Sequence, residues 1–117
     1  MAIIRVYPGP DGKSHFEDIQ PAFEPRGDLS EHAVVHAGSG IFLRRFDPKR
    51  SNPWHHAPAR VCVFNLSGAV DIEVGDGTLR RLSPGDILIA EDVTGQGHVT
   101  REVGPEPRVS LFVPLRD

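Results

Sequence analysis

Apolar and polar residues alternate over short runs in this chain, and clusters of glycine and proline separate the runs. The clearest case is Ala69–Val74, where Val70, Ile72 and Val74 alternate with Asp71 and Glu73, the period-two pattern of a half-buried strand. Residues 41–46 follow the same rule: Ile41, Leu43 and Arg45 share one face, and Phe42, Arg44 and Phe46 the other. Residues 61–66 are apolar almost without interruption, which predicts a central strand covered on both sides. Ile87–Ala90 is apolar, too short for a helix and bounded by turn residues. His98–Val103 and residues 109–113 alternate again. Residues 2–7 alternate enough for a first strand, and residues 14–19 form a short ordered segment that packs Phe16 and Ile19 down. Residues 31–36 are a further strand candidate, with Ala33 and Val35 on one face and His32, Val34 and His36 on the other.

Turn chemistry sets the punctuation. In Pro8-Gly9-Pro10-Asp11-Gly12, Ser83-Pro84-Gly85-Asp86 and Gly104-Pro105-Glu106-Pro107, proline fixes φ and glycine admits positive φ. Asp76-Gly77 predicts a type I′ hairpin. Residues 20–30 read as an extended crossing and residues 47–53 as a polar loop. Residues 91–97 read as a second polar loop, which delivers His98. Nowhere do ten residues sustain a helical period, and no repeat is present. Short strands divided by Gly/Pro turns predict an all-β antiparallel sandwich or barrel.

Composition narrows the function classes. A chain of 117 residues is expected to form one domain and can bury a core without staples. A net charge of −3 leaves no electrostatic footprint for nucleic acid or an anionic membrane. The clusters Arg44-Arg45 and Arg80-Arg81 are too small to track a phosphate backbone. The single cysteine, Cys62, cannot close an internal disulfide, and inside an apolar strand it reads as a small hydrophobe, not a nucleophile. No apolar run approaches the ~20 residues of a membrane span, and residues 1–6 are too short and mixed for a signal peptide. A cytoplasmic location is the expectation. No Ser/His/Asp triad, P-loop or CxxC pair occurs.

Five pieces stand out: Trp54-His55-His56-Ala57-Pro58, Leu66-Ser67-Gly68, Val74-Gly75-Asp76-Gly77, Ser83-Pro84-Gly85-Asp86, and residues 91–98, which run from Glu91-Asp92 to Gly97-His98. With them the chain resembles the cupin superfamily, specifically its small single-domain members. Ser14-His15-Phe16-Glu17-Asp18 also looks like the opening of such proteins. The resemblance implies a double-stranded β-helix, or jelly-roll barrel, with an arm at about residues 1–30, a barrel at about 31–117, and a homodimer. Phe42, Phe46, Phe64 and Phe112 are taken as outward-facing aromatics available to the dimer. The family's usual site is three histidines and a glutamate around a divalent metal. Counted back from Gly68, Val61 occupies the glutamate position. The histidine pair falls on His55 and Ala57, or on Trp54 and His56. His98 matches the last histidine.

Metal candidates are therefore His55, His56 and His98, with Zn, Fe(II), Mn or Ni as the ion. A shared ion needs about three convergent ligands. Adjacent His55 and His56 point to opposite faces of a regular strand unless the backbone bulges near Pro53 and Pro58. Glu91 and Asp92 stand ready to replace the missing carboxylate. The open alternative is a histidine-lined pocket without metal. His98, Asp92 and Glu91 are the catalytic candidates, and Trp54, Arg45 and Val61 the substrate contacts. One of Arg44 and Arg45 must face the interior, where Glu73, Asp71 or a substrate carboxylate would pair with it. His15, His32 and His36 read as surface or capping residues. The resemblance permits a small-molecule enzyme of the dioxygenase, isomerase, dehydratase or cyclase class, or a non-catalytic small-ligand sensor.

Overall fold

The computed structural model describes residues 2–20, 22–25, 31–32 and 42–116. Twelve strands are found among them: β1 Ile3–Pro8, β2 Ser14–Asp18, β3 Glu24–Pro25, β4 Glu31–His32, β5 Phe42–Phe46, β6 Ser51–His55, β7 Val61–Ser67, β8 Ala69–Val74, β9 Leu79–Leu82, β10 Ile87–Ala90, β11 His98–Val103 and β12 Arg108–Pro114. A six-stranded sheet runs β2-β1-β10-β7-β12-β5, and a four-stranded sheet runs β6-β11-β8-β9. The β1–β10 pair is parallel; the other pairs are antiparallel. Among the described residues no helix is long and apolar enough to cross a membrane.

The two sheets face one another across a core built by alternation. Val70, Ile72 and Val74 of β8 are buried against Ile4, Val6, Val63, Leu88 and Ala90 of the larger sheet. Continuity of the apolar run in β7 has the expected cause. Val63 points into this core, while Cys62 points the other way into a second cluster with Ile3 and Ile89. Burial pushes the Cys62 thiol up to about 11, so it stays a neutral, unreactive filler.

Four local expectations change. Residues 51–53, expected in a loop, open strand β6, because Thr100 and Arg101 of β11 pair with Asn52 and Ser51. The turn at Asp76-Gly77 is a three-residue connection. The Val74 carbonyl accepts from Gly77 N (2.9 Å), Val74 N donates to the Thr78 carbonyl (3.0 Å), and Gly77 takes the positive φ. Strands β1 and β2, expected in an arm, are integral to the larger sheet. Phe46 and Phe112 face inward: Phe46 is buried, and Phe112 packs on the core. They are therefore not outward aromatics for a dimer. Phe64 joins the second cluster, and the side chain of Phe42 lies outside the described residues, as do residues 33–41 with His36.

A side chain buried in this core loses its apolar contacts when it is truncated. Ile72→Ala is expected to lower stability by about 2–5 kcal/mol, whereas Leu79→Ala, at a half-exposed position, should change it by no more than about 0.5 kcal/mol. Urea melts of the two variants check the contrast.

Candidate functional site

His98 opens β11 and stands opposite His55, the last residue of β6, in the strand register. Their ring centres lie 4.5 Å apart, edge to face. Gly97 makes this approach possible. Its φ is +77°, and a Cβ there would sit 1.8 Å from the His55 carbonyl oxygen. Only a residue without a side chain lets the two strands close at this point.

Behind His98 lies a fully buried carboxylate. Asp92 Oδ2 accepts from His98 Nδ1 at 2.6 Å and from Ser14 Oγ at 2.7 Å. Asp92 has no exposed surface and His98 is 6% exposed. Because Nδ1 is engaged, Nε2 is the ring nitrogen His98 offers to the cavity it lines. His55 is held differently. Its Nδ1 donates to the Pro53 carbonyl at 2.7 Å, which leaves Nε2 to accept from Asn52 Nδ2 at 3.2 Å. Burial holds the His55 imidazole below its ordinary value; the Pro53 carbonyl opposes that shift, and neighbouring His98 adds to it. Two imidazoles this close carry one proton more easily than two.

These groups border a cavity of about 290 Å³ between the sheets. Val63, Val70, Ile72, Leu82 and Leu88 supply an apolar part of its lining, and His55, His98, Asn52 and Thr100 a polar part. Arg44, Arg50 and Arg108 line it as well. Arg108 is buried and neutralised by Glu102 through contacts of 2.8 and 3.1 Å.

The structure gathers some of the expected residues and disperses others. His55, His98 and Val61 line the cavity, and Asp92 backs His98. Glu91, next in sequence, does not line it: Arg5 and Arg60 bind its carboxylate in two ion pairs. Burial pushes the Glu91 carboxyl up, but hydrogen bonds and charge from those arginines outweigh it and hold the group below its ordinary value. His56 is exposed, and its Nδ1 donates to the Ala57 carbonyl. Trp54 is 42% exposed and borders a surface groove with Val99 and Arg101. Arg45 is exposed, and its neighbour Arg44 is the one that faces the cavity. Asp71 and Glu73 pair with Arg81 and Arg101, so neither serves Arg44. His15 pairs with Asp11, and the His32 side chain lies outside the described residues. Ser14, Asn52, Arg50 and Arg108 are site residues that no local motif signals.

A resident metal does not fit this donor set. The imidazoles offer two Nε2 atoms, and that of His55 already accepts from Asn52. Asp92 lies behind His98 and does not line the cavity, its Oδ2 is taken by His98 and Ser14, and Val61 contributes no donor. Among the described residues no group of three or more His, Cys, Asp or Glu is arranged to hold an ion.

No protein-family model and no curated protein matches the chain. Solved structures do resemble it. A conserved protein of unknown function, SPY1581 from Streptococcus pyogenes, aligns at a TM-score of 0.52 with 22% identity, over 73% of this chain and 70% of that one. Protein NMB1881 from Neisseria meningitidis aligns at 0.52 with 15% identity, over 83% and 84%. KdgF from Halomonas sp. aligns at 0.47 with 25% identity, over 82% and 90%.

Elemental analysis of protein purified without an affinity tag should find only sub-stoichiometric Zn, Fe, Mn and Ni, and titration with each ion should show no saturable one-to-one binding. Acid should destabilise the fold in two stages. His55 is depressed below 6.5 in the folded state, so its contribution is complete above that value and declines as pH falls through it. Glu91 is depressed below 4.5, so its contribution is lost only under that value. Urea midpoints measured against pH should lose the first stage in His55→Gln and show a smaller second stage in Glu91→Gln, where Asp11 and Asp76, also held below their ordinary values, still contribute.

Proposed function

We propose that this chain, which folds as a cupin-type β-barrel, is an enzyme that moves protons on a small molecule held in the barrel cavity. One observation carries the reading: a buried Asp92–His98 pair whose second ring nitrogen faces a half-open, partly apolar cavity. Asp92 fixes the tautomer, turns the ring and stabilises the imidazolium that forms when Nε2 takes a proton. His55, kept neutral beside it, presents a second imidazole that the new charge does not have to displace. Such a pair serves isomerisation and dehydration, in which a proton leaves carbon and returns to carbon or to a departing oxygen. The cavity is at the small end of ligand sites, which restricts the substrate to a compact molecule.

A second reading has support from one residue. Val61 stands where the resemblance expects a glutamate, and a barrel without that ligand would serve as a binding or sensor domain.

Deuterium washout separates the two. In D₂O, wild-type protein should exchange C–H protons next to the carbonyl in a panel of small 2-oxo and 3-oxo compounds, followed by NMR. His98→Gln and Asp92→Asn should each slow this by about 100-fold or more. Binding without exchange across the panel, or an unchanged rate in His98→Gln, sinks the catalytic reading.

A further inference from the structure

We propose that Arg44 and Arg50 form an oxyanion-binding site at the cavity, so that the molecule this barrel takes carries a carboxylate or phosphate on an apolar body. The inference names the substrate class for the cavity of the preceding reading and rests on that reading for its catalytic meaning.

Three guanidinium groups crowd one aromatic ring. The Cζ atoms of Arg44, Arg50 and Arg108 lie 4.8, 5.0 and 4.0 Å from the ring centre of Phe46. Phe112 takes Arg44 as well, at 4.9 Å, and the two rings pack 6.1 Å apart. Ring faces hold cations in place without neutralising them. Glu102 neutralises only Arg108, whose N–H groups also reach Ser110 Oγ at 2.8 Å. Among the described residues neither Arg44 nor Arg50 has a carboxylate partner. Asp47, on the turn between them, accepts from Lys49 N.

The result is two uncompensated positive charges at a cavity whose third guanidinium, Arg108, already has its carboxylate. Although Arg44 keeps access to solvent, partial desolvation, with repulsion from Arg50 and Arg108, pulls its guanidinium below its ordinary value. An oxyanion between the two arginines relieves that repulsion and gains charge-assisted hydrogen bonds from planar donors suited to carboxylate or phosphate. The apolar lining then takes the rest of the molecule. A volume of about 290 Å³ holds roughly ten water-sized units at ~30 Å³ each, the scale of a substituted six-membered ring. His98 lines the same cavity, so a molecule anchored by its anion presents its other end to Nε2.

The test measures binding of benzoate, phenyl phosphate and benzamide to the full chain by isothermal titration. These probes have similar bodies and differ in the head group, and none has a proton for the washout assay, so affinity and turnover are read separately. At least one anion should bind about tenfold or more tightly than benzamide, and which one wins identifies the oxyanion. The preference should shrink as salt is raised. It should disappear in the Arg44→Gln/Arg50→Gln double variant and persist in part in Arg44→Lys/Arg50→Lys, each checked for an unchanged thermal melt. Benzamide binding as tightly as both anions, no saturable binding of either anion, or an undiminished preference in a folded Gln variant overturns the proposal. Washout activity without anion preference would remove only this inference. Anion preference without washout would remove only the catalytic reading.

Discussion

A carboxylate with no access to water depends on the protein for its hydrogen bonds, and Asp92 gathers those the fold supplies on one of its oxygens. Its Oδ2 takes donors from two distant places: Ser14 at the start of β2 and His98 at the start of β11. Oδ1 has no partner among the described residues. Both donors converge on one oxygen, the one that faces the imidazole. Removing either donor would strand a buried charge, which costs far more than an ordinary hydrogen bond contributes. The pair therefore fixes the ring of His98 and pins the β1–β2 hairpin against residues 91–97. The backbone repeats this tie, since Gln96 N donates to the Gly12 carbonyl at 3.0 Å.

The cavity has a chemical grain that follows from strand alternation. Inward positions of β8 and β10 are aliphatic, while inward positions of β5 and β12 include Arg44, Phe46, Arg108 and Phe112. Phe46 lets these cations approach a buried region, because its ring face replaces part of the water a guanidinium loses. Glu102 then answers Arg108 alone. Charge left over at a packed position is destabilising by itself, and the fold tolerates it where the arginines keep some access to solvent, as exposed Arg44 does.

Legibility in the sequence tracked how local each cause was. Ala69–Val74, Ile87–Ala90 and His98–Val103 have the expected bounds because alternation or an apolar run, with flanking turn residues, defines them. Strand β6 was illegible: Ser51, Asn52 and Pro53 are poor strand formers, and pairing with β11 imposes the conformation. Alternation placed Arg44 and Arg45 on opposite faces correctly. It could not tell which face the barrel would enclose, and the inward turn of Phe46 depends on the same choice. Choosing His55 over His56 required the contact between Gly97 and the His55 carbonyl. Ser14 reaches Asp92 across 78 residues of sequence, and no pattern near either residue announces it.

The position of the acid decides what kind of centre this is. A glutamate at position 61 would stand in the cavity wall beside the imidazoles and offer them a common ion. Val61 makes that part of the wall apolar, and the carboxylate the site does possess lies behind His98. A carboxylate in front of an imidazole adds a ligand; one behind it, on Nδ1, fixes the tautomer and the orientation of the ring. Asn52 reinforces the change by occupying Nε2 of His55. With Nε2 of His55 already bonded and the acid on the far side of the His98 ring, one nitrogen lone pair is left to face the cavity, and no shared set of metal donors forms among the described residues. Gly97 holds the two rings at that separation, at the edge of a cavity that is partly apolar and partly open to solvent.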